Sequence, residues 1–243
     1  MNDRSVIEIQ GQDRIKFLQN LVTNDVSKLA QGPIYAAILT PQGKYLADFI
    51  LVALSETVMM DVHRDLAPEL LKRLNMYRLR ADVQLTLSDN VVSCGQTNPP
   101  QGAITDPRHA QMGWRYYGTD DRSHPNIDWD ALRIELGIPE YPNDLGPDSY
   151  ILEMGFERLN GVDFKKGCYV GQEVTARMKH KTVLRKGLRQ VKISGSAPIG
   201  TAILANEKPA GVLYTQQGGL ALAYLRFDRI APEMVAGSAI ITP

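Results

Sequence analysis

The sequence predicts an α+β protein, built on antiparallel sheets with helices and ending in a small β-barrel. Three observations lead there. Pro41-Gln42-Gly43-Lys44 separates two apolar runs, residues 35–39 and 45–54, with proline and glycine where a tight turn wants them. The two runs therefore pair as an antiparallel hairpin. No G-x-G-x-x-G follows a strand, so a dinucleotide-binding fold has no support. From residue 184 onward the pattern changes to short alternating strands parted by glycine and polar turns, as in a small barrel.

The elements follow in order. Residues 5–10 read as a first strand. Residues 12–21 read as an amphipathic helix, with Asp13 as N-cap and Ile15, Leu18, Leu21 and Val22 at helical spacing. After the hairpin come a strand at 58–62 and a helix at 66–77, whose Leu66, Leu70, Leu71 and Leu74 share one face. Val83, Leu85 and Leu87 alternate with polar residues as a strand does, and 91–94 and 112–117 are shorter β-like pieces. Residues 128–136 predict a helix stopped by Gly137 and Pro139, and 149–154 a short one. A helix at 171–178 precedes the barrel strands, expected at 188–193, 201–204, 210–214, 220–225 and 238–241. This divides the chain into a region at 1–182, with room for two subdomains, and a barrel at 183–243.

Composition narrows the function classes. The 243 residues are 44% hydrophobic and 22% charged, with formal net charge zero, so no global field recruits nucleic acid or an anionic membrane. Two cysteines, Cys94 and Cys168, cannot build a disulfide framework or supply four thiolates to an iron–sulfur cluster. The four histidines show no ligand spacing, so no metal site is expected. The apolar runs are too short to cross a bilayer, and Met1-Asn2-Asp3-Arg4 leads straight into the first strand without a signal or transit pattern. A cytoplasmic protein is expected. Charge is uneven locally: seven cations and no acid lie between Val174 and Asn206. Such a run is either a solvated face or a seat for an anionic ligand or partner.

The densest signal is Lys166-Gly167-Cys168-Tyr169-Val170-Gly171-Gln172-Glu173. A cysteine between glycines, beside a lysine and next to a predicted helix start, has two readings. It is an inert thiol in a tight turn, or a thiolate favoured by the helix dipole and the ammonium. The glycines allow the backbone a tight turn and close approach to a ligand. The string resembles the K-G-C-Y-x-G-Q-E signature of the YgfZ-type folate-binding proteins, relatives of the glycine-cleavage aminomethyltransferase, or T-protein. All seven specified positions match. Residues 17–26, 39–44 and 77–80 are similar to this family's segments too, and Val174 to Arg177 extend the signature.

The resemblance implies a T-protein-like folate-binding domain followed by a C-terminal β-barrel. It also implies tetrahydrofolate, or a derivative, as cofactor, and iron–sulfur enzymes or cluster-assembly proteins as partners. Cys168 is then the reactive group. Lys166 steadies its thiolate or holds a folate glutamate, Gly167 and Gly171 shape the loop, and Tyr169 packs or stacks on a flat heterocycle. Gln172 and Glu173 orient loop or ligand, or are ordinary residues of a helix's first turn. Arg177 extends the cationic run, or pairs with Glu173 one turn back. Leu132-Arg133-Ile134-Glu135-Leu136-Gly137 is similar to the T-protein segment whose glutamate contacts the pterin, so Glu135 is either a ligand for the aminopyrimidinone edge or a solvated helix glutamate. Two rivals stand. One is a folate-dependent aminomethyltransferase, for which Asp61 is the nearest candidate aspartate. The other is a module binding RNA or another anionic partner through residues 177–192, although zero net charge argues against nucleic acid.

Overall fold

A computed structural model describes residues 3–181 and 183–243. Met1, Asn2 and Thr182, on which the leader reading and the 182/183 boundary bear, lie outside the described residues. The chain gathers into two compact units that interleave in sequence: residues up to Ile127 with Glu157–Val174, and Asp128–Phe156 with Thr175–Pro243. Packing therefore draws the division differently from a single cut at 182/183, because residues 128–156 join the unit that holds the barrel.

In the first unit, β1 (Arg4–Gln10) is followed by α1 (Arg14–Gln19), β2 (Ile34–Leu39), β3 (Tyr45–Leu54), β4 (Thr57–His63), α2 (Ala67–Arg78) and β5 (Gln84–Ser88). The strands form one antiparallel sheet in the order β2-β3-β4-β1-β5. The expected hairpin is its β2–β3 edge, with Gly43 at φ +75° in the turn. Asp13 does precede α1, but its carboxylate accepts from the Asp82 backbone N–H at 2.9 Å and caps no helical N–H. Ile7, Ile9, Ile38, Phe49, Leu51, Met60 and Val62 point to one face, where Leu18, Leu70 and Leu74 of the helices close the core.

The other face of this sheet is buried as well. The β6 (Val91–Gly95), β7 (Ile104–Thr105) and β8 (Trp114–Gly118) strands form a second sheet in the order β6-β8-β7. Burial on both faces explains why β3 reads as a nearly continuous apolar run. Polar residues of that second face meet in a closed network. Asp61, fully buried, accepts from Arg4 Nε at 2.6 Å, Arg115 Nη1 at 2.7 Å and the Tyr117 hydroxyl at 3.0 Å. Arg115 Nε continues to Asp106, which Arg108 also grips. Asp48 accepts from the hydroxyls of Tyr35 and Tyr45.

In the second unit, α3 (Trp129–Glu135) starts at Asp128, whose carboxylate accepts from the Ala131 N–H at 2.9 Å. It ends at Gly137, with φ +65°. Where a helix was expected at 149–154, residues 151–154 form turns. The helix α4 (Gln172–Lys181) spans the junction between the units in sequence. Then come β9 (Lys186–Ser194), β10 (Ala202–Ala205), β11 (Lys208–Gln217), β12 (Leu220–Arg226), β13 (Met234–Ala236) and β14 (Ala239–Thr242). They close an antiparallel barrel, β10-β11-β12-β9-β14-β13, around Val191, Ile203, Leu213, Ala223 and Ile241. The strand β13 was not expected, because three residues are too few to show an alternation. Arg133 of α3 is buried against Asp144, which also accepts from the Thr215 N–H and hydroxyl of β11.

Candidate functional site

Residues 160–171 form an irregular loop, and the way it is pinned down sets the exposure of Cys168. At its start, the Thr23 hydroxyl donates to Gly161 O at 2.7 Å, and the Asn24 amide donates to Asn160 O at 2.7 Å and to Tyr35 O at 2.8 Å. Asp163 then accepts from the N–H groups of Lys165 and Lys166 and pairs with Lys28 at 2.6 Å. Burial pushes the Asp163 carboxyl up, but Lys28 and those N–H groups outweigh it and hold it below the usual carboxylate range.

Lys166 is the next anchor. Its side chain is buried, and the ammonium donates to Gln19 O at 2.7 Å, in the last residue of α1, and to Val22 O at 2.5 Å just beyond it. The Tyr169 ring lies 5.0 Å from the same nitrogen, and Tyr169 is itself buried. Desolvation lowers the Lys166 pKa from its usual 10.5 to about 8, partly opposed by Asp25 and Asp163. Lys166 is thus engaged with backbone carbonyls and an aromatic face.

The far end of the loop is held by close approach. Gly171 has φ +84°, and a Cβ there would stand 2.6 Å from Thr40 O and 3.0 Å from Leu39 Cβ. Opposite it, a Cβ on Gly43 would meet Val174 Cβ at 2.9 Å. Two turns abut because both carry glycine. Gly167 differs: space is open where its Cβ would stand.

Between these anchors Cys168 is a free, exposed thiol. The helix α4 begins only at Gln172, so Cys168 lies ahead of its first turn, outside the short reach of the helix dipole. Gln172 is half-buried, while Glu173 in the first turn and Arg177 are exposed. Cys94 is the contrasting thiol: it is buried, and burial pushes its pKa up.

Glu135 belongs to the second unit, at the last turn of α3, where it is exposed. Its backbone carbonyl, and that of Ile134, accept from the Gln190 side chain. Asp61 is fully buried and committed to Arg4, Arg115 and Tyr117. Burial raises its pKa, but Arg4 and Arg115 overcompensate and keep it ionised within a structural network. Arg177, Lys179, Lys181, Arg185, Lys186, Arg189 and Lys192 are all exposed, with Lys186 over the Tyr224 ring and Arg189 over Phe227. Among the described residues, no group of three or more His, Cys, Asp or Glu is placed to hold a metal ion, and no helix is long and apolar enough to cross a membrane.

Sequence reasoning missed Thr23, Asn24 and Asp163 as builders of the loop. The signal was present in part. Residues 17–26 and the cysteine string carried the resemblance separately, and the structure shows one clasping the other.

A family model described as the CAF17 C-terminal beta-barrel domain matches residues 185–243, which are the barrel. The iron–sulfur cluster assembly factor IBA57, mitochondrial, of Mus musculus is 32% identical over a match covering 95% of this chain and 77% of that protein. The chain belongs to the IBA57/CAF17 family of iron–sulfur cluster assembly factors. The Homo sapiens IBA57 protein is 31% identical, with the same coverage. The crystal structure of glycine cleavage system aminomethyltransferase T from Bartonella henselae superposes with a TM-score of 0.76, over 99% of this chain and 82% of that one, at 16% identity. The fold is therefore T-protein-like, as the sequence predicted. The narrower YgfZ-type assignment stays a resemblance. The cytoplasmic expectation is corrected, because these IBA57 relatives are mitochondrial proteins. Few cysteines report a reducing environment and do not distinguish one compartment from another.

Proposed function

We propose that this protein binds tetrahydrofolate and serves the assembly or repair of iron–sulfur enzymes, with Cys168 as its reactive group. The observation that carries the reading is the exposed Cys168 on a loop pinned at Thr23, Lys166 and Gly171. Thiolate is both nucleophile and metal ligand, so a thiol held open on a fixed loop can meet a bulky partner with little loss of loop entropy. A cluster held by four ligands cannot be served by one exposed thiol. A cluster handled here as substrate therefore takes its remaining ligands from a partner protein.

Folate use rests on the T-protein-like fold and on the donor set. The Glu135 carboxylate is open to solvent and can accept two N–H bonds from an aminopyrimidinone edge. Gly167 leaves open space beside the cysteine. Gln172 and Glu173 add polar groups in the first turn of α4, and Arg177 lies further along that helix.

Two measurements test the proposal together. Calorimetry should detect tetrahydrofolate binding to the wild-type protein, and Glu135→Ala should weaken it by about 1.5–3 kcal/mol through loss of charge-assisted hydrogen bonds. In cells lacking the protein, Cys168→Ser should fail to restore iron–sulfur enzyme activities. Absence of folate binding by folded wild-type protein refutes the cofactor. Full restoration by Cys168→Ser refutes the thiol.

A further inference from the structure

The helix α2 ends in a conformation that its own residue does not favour. Its C-cap is Leu79, with φ +47° and ψ −106°, in the left-handed half of the map where glycine is the usual occupant. The same leucine is 88% exposed, and beside it Met76 is 59% exposed and Tyr77 37%. An unfavourable backbone that holds an aliphatic side chain out in water does nothing for the fold, and such outliers point to function.

Leu79 borders a cleft of about 330 Å³ between the C-terminal ends of α1 and α2. Phe17, Leu21 and Ala81 give it an apolar lining, and Lys16, Arg78 and Arg80 contribute three cations. The single lining carboxylate, Asp13, accepts the Asp82 N–H. Arg78 lies in the last turn of α2 and offsets the helix dipole, but Arg80 lies beyond the helix and has no such role there.

We propose that this cleft docks a segment of a partner protein that carries carboxylates beside an apolar side chain. The cations match the carboxylates, and Leu79 with Met76 supplies apolar contact outside the cleft that a small anion would leave in water. A single-stranded RNA would want a longer cationic track and successive aromatic platforms, whereas the exposed side chains here are mainly aliphatic. The inference rests on neither folate binding nor Cys168.

The test follows amide resonances of the full chain during titration with a short peptide of alternating Glu and Leu. Its Gln-for-Glu analogue, inorganic phosphate and oligouridine serve as the other probes. The peptide should move the resonances of Lys16, Leu79 and Arg80, with affinity falling as salt is added. The Gln analogue and phosphate should bind roughly tenfold more weakly or worse. Arg80→Glu should abolish peptide binding at unchanged Tm. Leu79→Gly should hold or raise Tm, because it relieves the backbone, and yet weaken the peptide. The proposal is overturned if the peptide leaves the cleft untouched, if phosphate or oligouridine binds as tightly, or if Leu79→Gly binds the peptide like wild type.

Discussion

Lys166 gives the sharpest test of how the cysteine loop is held. Lys166→Met keeps the stem's packing and removes the ammonium that Gln19 O and Val22 O accept from at 2.7 and 2.5 Å. Two hydrogen bonds from a charged donor contribute about 1.5–3 kcal/mol each. Against them stands desolvation of an ammonium whose side chain is almost wholly buried. The fall from 10.5 to about 8, at about 1.4 kcal/mol per pH unit, sets that cost near 3 kcal/mol. The variant should therefore lose up to about 3 kcal/mol at neutral pH. The pH dependence has a definite sign. The folded pKa lies below the unfolded one, so between about pH 8 and 10.5 the unfolded chain binds more protons and wild-type stability rises with pH. The variant lacks this group, so the wild-type advantage should widen by up to about 1.4 kcal/mol per pH unit in that window and be smallest below pH 8. Urea unfolding followed by far-UV circular dichroism, at pH 7 and at steps up to 10, measures both. Equal midpoints at every pH would show that the ammonium is not committed to these carbonyls and is available to a thiolate or an anionic ligand.

Three further outcomes follow from the same geometry. Under native conditions an alkylating reagent should modify Cys168 far faster than Cys94, whose thiol is buried and pushed up in pKa; faster labelling of Cys94, read by peptide mass spectrometry, would contradict the loop geometry. Gly171→Ala should lower stability by about 2 kcal/mol or more, from positive φ and the 2.6 Å approach to Thr40 O; thermal unfolding at wild-type temperature would show that the loop moves away freely. Arg115→Met should cost about 3–5 kcal/mol by stripping one cation from both Asp61 and Asp106; urea unfolding with an unchanged midpoint would remove the network's structural role.

Much of the fold was legible in the sequence because it rests on local rules. The β2–β3 hairpin needed only two apolar runs and a Pro-Gln-Gly-Lys turn, and the barrel needed only period-two alternation with glycine turns. The cysteine string and Glu135 stood out for the same reason, being contiguous matches. What pattern could not supply was partnership across distance. Asp61 read as the nearest candidate for a catalytic aspartate, with no sign of Arg4 and Arg115, which packing sets against it. Lys166 read as a neighbour of Cys168, one residue removed, but its side chain runs to carbonyls more than a hundred residues earlier. Residues 128–156 gave no sign of joining the barrel's unit, since the contact of Asp144 with Thr215 is long-range.

By itself, then, the sequence determined the α+β class, the hairpin, the barrel and a resemblance to the T-protein-like proteins, because each is carried by residues adjacent in the chain. Tertiary structure alone decided that Cys168 is exposed, that Lys166 is a buried anchor and that Gly171 is a contact between two turns. The physical reason is that burial and electrostatic partnership depend on which distant groups exclude water from a side chain. Periodicity along the chain carries no information about that.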